Sequence, residues 1–207
     1  MLTRKLVLLL VPVLLLLTGC TESQTVAKKE PEKPLDPVGG QSAVYKMYQA
    51  GRSWAPDLKV LKASSRLLED VGEIPRGKAA AWECTFVSEA KRQAKTFTYS
   101  IKELLPNWRK GVFGQPEHSW SGPEGNATPF PVIAIKVETD AAYETALKNG
   151  GADYDKKNPG KNISLMLEKI SKFPDPTWRV IWGDSVGTSN FSVYVDASTG
   201  QFLEKVH

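Results

Sequence analysis

Cys84, His118 and Asp196 are the side chains of this sequence best equipped for covalent or acid–base chemistry, and their surroundings decide whether they perform it. A nucleophilic cysteine needs a base beside it to hold the thiolate. The chain has two histidines, His118 and His207, and neither lies near Cys84 in sequence. Cys84 sits in Trp82-Glu83-Cys84-Thr85-Phe86-Val87-Ser88, where strand alternation puts Trp82, Cys84 and Phe86 on one face. That pattern describes a buried, apolar thiol. Asp196 ends an apolar alternation just before Ala197-Ser198-Thr199-Gly200, which predicts a turn residue whose carboxylate binds nearby backbone amides. An enzyme built on these groups therefore ranks behind two binding readings, and no catalytic residue is assigned.

Metal and cofactor chemistry fares no better. Asp153-Tyr154-Asp155-Lys156-Lys157-Asn158-Pro159-Gly160 starts like a calcium loop, but Lys157 takes the fifth position and Ser164 stands where the terminal glutamate belongs. The two histidines have no cysteine or carboxylate at zinc-ligand spacing. Phosphate-loop, dinucleotide and Gly-x-Ser-x-Gly motifs are missing from the sequence, so the expectation is no cofactor and no metal. The sequons at Asn126 and Asn162 are incidental.

The stretch that invites binding is 106–131. It interleaves Trp108, Phe113 and Trp120 with Arg109 and His118 among many glycines and prolines. Apolar rings beside basic groups suit a peptide, a glycan or a headgroup. A loop of this length within a compact domain is usually functional or disordered. Trp108, Arg109, Phe113, His118 and Trp120 are the candidate binding residues. The competing reading is that the rings fold back to plug the junction between the segments on either side.

Those segments read as two copies of one unit. The first opens with a short helix at Ala43-Val44-Tyr45, the second at Ala141-Ala142-Tyr143, with Ser42 and Asp140 as N-caps. Val44, Met47 and Tyr48 form an apolar stripe in one; Tyr143, Ala146 and Leu147 do so in the other. The helices end near Gly51 and near Asn149-Gly150-Gly151. Residues 163–170 read as a strand, and 58–68 as a strand followed by irregular chain. Trp82-x-x-x-Phe86 then mirrors Trp178-x-x-x-Trp182, and the alternation Phe97, Tyr99, Ile101 mirrors Phe191, Val193, Val195. Each copy is thus helix, strand, strand, strand, an antiparallel meander whose apolar face the helix covers. A unit this small is marginal alone, so the copies are expected to pack together. The fold class is α+β: two tandem helix-plus-antiparallel-sheet units after an N-terminal tether. The boundaries are 43–105 for the first, 106–131 for the inter-repeat loop and 132–207 for the second.

The N-terminus carries an address. Arg4 and Lys5 precede an apolar run from Leu6 to Leu17, too short for the roughly 20 residues of a membrane span. Leu17-Thr18-Gly19-Cys20 follows, and resembles the cleavage site of bacterial lipoproteins. The resemblance implies a signal peptide over 1–19 and a cysteine, Cys20, that becomes the first mature residue and carries the lipid. It also implies anchoring outside the cytoplasm by the acyl chains. Thr21 after the cysteine, rather than aspartate, favours the periplasmic face of the outer membrane in a host with two membranes, and the cell surface otherwise. Residues 20–42, rich in proline and charge, read as the lipidated tether. Of 27 lysines and arginines, loss of Arg4 and Lys5 leaves 25 against 23 acidic residues. This balance argues against a nucleic-acid partner.

The second copy resembles a PepSY-type domain through Pro176-Thr177-Trp178-Arg179-Val180-Ile181-Trp182 and Val195-Asp196-Ala197-Ser198-Thr199-Gly200. The first copy shares this only through the repeat, since it lacks the Val-Asp-Ala-x-Thr-Gly ending. The resemblance implies a small non-enzymatic module of envelope or secreted proteins that restrains a peptidase or binds an envelope partner. The alternative expectation is a carrier of a small envelope ligand, a lipid or a glycan.

Overall fold

The computed structural model describes residues 35–103 and 108–207. Cys20, the expected signal peptide and the expected tether as far as residue 34 lie outside the described residues. Residues 34–207 form one compact unit that holds the described core.

The elements run β1 (Val38–Gly39), α1 (Gly40–Gly51), β2 (Lys59–Arg66), β3 (Lys78–Ala79), β4 (Ala81–Ser88), β5 (Gln93–Ser100), β6 (Gly111–Ser119), α2 (Thr139–Ala146), α3 (Ala152–Lys157), β7 (Ile163–Glu168), β8 (Thr177–Trp182), β9 (Ser192–Asp196) and β10 (Phe202–Val206). β1 and β3 pair as a short ribbon, and the other strands build an antiparallel eight-stranded sheet in the order β10-β9-β8-β7-β2-β4-β5-β6. From the β2–β7 pair the sheet runs outward on each side through four strands in chain order, β7-β8-β9-β10 and β2-β4-β5-β6, with β3 set apart, and each run follows a helix. The architecture is α+β, with helices covering one face of a large antiparallel sheet.

The helix-covered face is built by alternation. Trp82, Cys84 and Phe86 from β4, Phe97 and Tyr99 from β5, Trp178, Val180 and Trp182 from β8, and Val193 and Val195 from β9 share one buried core. Ala43, Val44 and Met47 of α1 and Ala142, Tyr143 and Ala146 of α2 close over it. Registers match between the halves. Trp82 pairs with Tyr99 and Trp178 with Val195; Cys84 pairs with Phe97 and Val180 with Val193. Phe97 therefore corresponds to Val193, not to Phe191 as the spacing of aromatics suggests. Phe191 sits one residue before β9, where its carbonyl accepts the Trp182 amide and its ring stacks on Tyr154 at 4.7 Å.

Several expected boundaries move. The tether does not reach residue 42: Leu35 and Val38 pack on the core, and the carbonyls of Asp36 and Val38 accept bonds from Tyr99 and from Trp82. Ser42 and Asp140 are not the N-caps, which fall on Gly39 and Glu138. After α2 the chain breaks at Asn149-Gly150, where Gly150 has φ of +111°, and resumes as α3. Phe202, at the start of β10, is 40 % exposed. The largest change is in 106–131. Its glycines and proline read as loop, yet Gly111–Ser119 is a nine-residue strand on the sheet edge. Gly114 lies against Phe97, where a Cβ would come within 2.9 Å of the ring. Pro116 falls at the register shift opposite Lys95–Phe97, on the outermost strand, where a missing amide hydrogen costs the ladder little.

Candidate functional site

The five candidate binding residues divide into two groups along β6. The Arg109 guanidinium lies over the Phe113 ring at 5.1 Å, and Trp108 beside them in sequence is half-buried. Phe113 pairs with Thr98 on the face that the helices leave uncovered. His118 pairs with Ala94 on that same face and is exposed. The strand rise of about 3.3 Å per residue separates Phe113 from His118 by roughly 15 Å. Trp120, just past the strand, packs over Leu61, Val87, Ala94 and Ala127, so it acts as a plug on the uncovered face. Its indole Nε1 is buried with no partner among the described residues.

The groups with catalytic potential are also dispersed. Cys84 is fully buried under the helices, and burial, then the charge of Glu83, pushes its thiol well above the ordinary range. His118 is on the opposite face of the sheet. The Asp196 carboxylate accepts the Ser198 and Thr199 amides at 2.7 and 2.9 Å and the Ser198 hydroxyl at 2.6 Å. Burial pushes its pKa up, but these hydrogen bonds outweigh it and hold the carboxyl below its usual range. This is the turn role expected from the sequence.

Where the two runs of strands meet, two different structures form. One is a closed joint between helix starts. The Glu138 carboxylate accepts the amides of Gln41 and Ser42 at 2.8 and 3.1 Å and the Ser42 hydroxyl at 2.7 Å, while Thr139 Oγ1 accepts the Gly40 amide at 2.7 Å and donates to the Gly77 carbonyl. The orphan amides of α1 are thus satisfied by residues almost a hundred positions away. Beneath them Trp82 and Trp178 meet edge to face at 6.2 Å; their indoles donate to the Val38 and Val137 carbonyls. A Cβ on Gly40 would come within 2.5 Å of Trp178 and 2.8 Å of Trp82.

The other is open. β2 and β7 pair only through Lys62–Glu168, Ala63–Leu167 and Ser64–Met166. Beyond these the Leu165 amide bonds to the Ser65 hydroxyl at 2.9 Å instead of to a backbone carbonyl. A cleft of about 310 Å³ opens between the chain that follows β2 and the turn before β7, with Arg66, Arg76, Lys78 and Lys161 on its walls. No sequence motif marked this cleft, because its walls come from segments read as irregular chain.

No family model matches the chain, and no curated protein matches it. Among solved structures, a protein of Clostridium difficile 630 described as a candidate lipoprotein aligns with a TM-score of 0.45 at 10 % identity, over 79 % of this chain and 91 % of that one. A likeness at this level carries no functional argument. Among the described residues no helix is long and apolar enough to cross a membrane.

Proposed function

We propose that this chain is a lipid-anchored cell-envelope protein that works by binding, without catalysis, and that its two halves are PepSY-like units joined edge to edge through β2 and β7. The observation that carries the reading is the Leu17-Thr18-Gly19-Cys20 sequence after a short apolar run, followed by a proline-rich tether leading to a compact unit. Two observations support the absence of catalysis: the Cys84 thiol is sealed in the core, and the Asp196 carboxylate is taken up by its own turn. The shared register of the two tryptophan strands supports the repeat. The partner is an envelope protein, a peptidase among the candidates, and the surface offered to it is the uncovered sheet face at Arg109 and Phe113.

Cys20→Ala tests the anchor. Full-length protein is expected to incorporate labelled palmitate and to sediment with membranes; the variant is expected to do neither, and lipid incorporation at unchanged level would refute the reading. The partner is sought by capture from envelope extract on immobilised 34–207, with an Arg109→Ala/Phe113→Ala variant alongside. A partner retained equally by both would remove this face from the proposal. Slowing of an envelope peptidase by the same unit is the readout for the restraining role.

A further inference from the structure

The cleft beside β2 and β7 is unusual in its charge. Arg66, Arg76, Lys78 and Lys161 line it, and no acidic residue does. Of the four, Arg66 is paired with Glu83 at 2.5 Å, while Arg76, Lys78 and Lys161 form no ion pair among the described residues. Glu69 and Asp184 line the adjoining depression and bound the positive region on that side. Bringing like charges together around one concavity is unfavourable, because each repels the others. An anion seated among them would relieve that repulsion. Elsewhere in the lining, Leu67, Leu68, Val71 and Ile74 offer apolar surface next to the charges.

We propose that this cleft is a binding site for a phosphate group that is joined to an apolar or neutral stem. Phosphate fits better than a single carboxylate. Its several oxygens accept bonds from arginine and lysine donors at once, and a monoester also carries more charge than a carboxylate to set against three unpaired cations. The volume suits a headgroup or a small phosphoester and lies at the lower end of ordinary ligand sites. Arg76 reaches across the cleft, its guanidinium donating a long, exposed bond to the Lys161 carbonyl at 3.5 Å, so ligand binding is expected to tighten the contact between the turn before β3 and the turn before β7. The site stands on this geometry and is independent of the lipid anchor.

The test uses 34–207, which forms a compact unit with its own core, and two phosphate sources. Calorimetric titration with glycerol 3-phosphate reads a soluble phosphoester; co-sedimentation with phosphatidylglycerol vesicles, against phosphatidylcholine vesicles, reads a membrane headgroup. Arg76→Gln/Lys161→Gln removes two exposed cations from the cleft, and Lys46→Gln/Lys136→Gln removes two exposed lysines elsewhere, giving the same net charge. The expected result is binding to at least one source, weakened about tenfold or more by the cleft variant and within about twofold of wild type in the control. Binding to the ester alone assigns a soluble ligand, and binding to the vesicles alone assigns a membrane headgroup. Binding to neither source overturns the proposal. So does equal weakening in the two variants, which would mean that net charge rather than the cleft attracts the anion.

Discussion

The two halves of this protein meet once through their helix starts and once through their central strands, and the two meetings are opposite in character. At the helix starts every group is used: Glu138 and Thr139 satisfy the first amides of α1, and the Trp82 and Trp178 rings leave no space for a side chain at Gly40. At the strands the ladder stops after three residue pairs, and exposed cations line the gap. The contrast suggests a division of labour, in which the closed joint holds the halves in register and the open one is left for a ligand. Trp178→Ala should break the closed joint most severely. It removes a fully buried ring, its edge-to-face partner and a hydrogen bond to Val137, with an expected loss of about 3–5 kcal/mol. Gly40→Ala probes the same point by overpacking, since the new methyl meets two indoles, with an expected loss of about 1–3 kcal/mol. Both are read as shifts of the denaturation midpoint at constant slope.

Smaller effects separate the joint's parts. Glu138→Ala leaves the Gln41 and Ser42 amides without their carboxylate and is expected to cost about 1–2 kcal/mol, with Glu138→Gln recovering part of it. At the open meeting, Ser65→Ala strands the buried Leu165 amide, for an expected loss of about 1–2 kcal/mol. If Ser65→Ala proves neutral while Glu138→Ala is costly, the strand joint contributes nothing where it frays and the division of labour is sharper than drawn. Equal losses at both sites would blur it.

Much of the closed joint's framework can be read from the sequence, and almost nothing of the open one. Tryptophans at 82 and 178 and the alternation after them signal two strands buried under a helix, because period-two burial survives any uncertainty about loops. Asp196 is legible for a local reason: its carboxylate serves amides two and three residues on. Its folded pKa lies below the ordinary 3.8, so its stabilisation is present above the unfolded value and is lost as the pH falls through the folded value. Asp196→Asn is therefore expected to lower stability at neutral pH, with wild type and variant converging in strong acid. What sequence could not give is long-range. Glu138 precedes the N-cap expected at Asp140 and carries no signal of its own, yet it accepts the amides that start a helix 97 residues away. The strand β6 hides behind Gly111, Gly114 and Pro116, residues that signal a loop until an edge position and a bulge make room for them.

The smallest expected effect is the most pointed. Arg76 and Lys161 are exposed, and a surface substitution with no packing or buried partner usually changes stability by no more than about 0.5 kcal/mol. Arg76→Gln/Lys161→Gln should therefore leave the denaturation midpoint nearly unchanged, or raise it slightly as repulsion among the cleft cations falls. The loss of the 3.5 Å bond from Arg76 to the Lys161 carbonyl opposes that gain and is worth little at an exposed site. A near-zero result beside a loss of several kcal/mol for Trp178→Ala would show that the cleft charges are no part of what holds the halves together. A large loss would instead make Arg76 a structural clamp across the fraying strands, and the open joint would then be a second fastening of the fold.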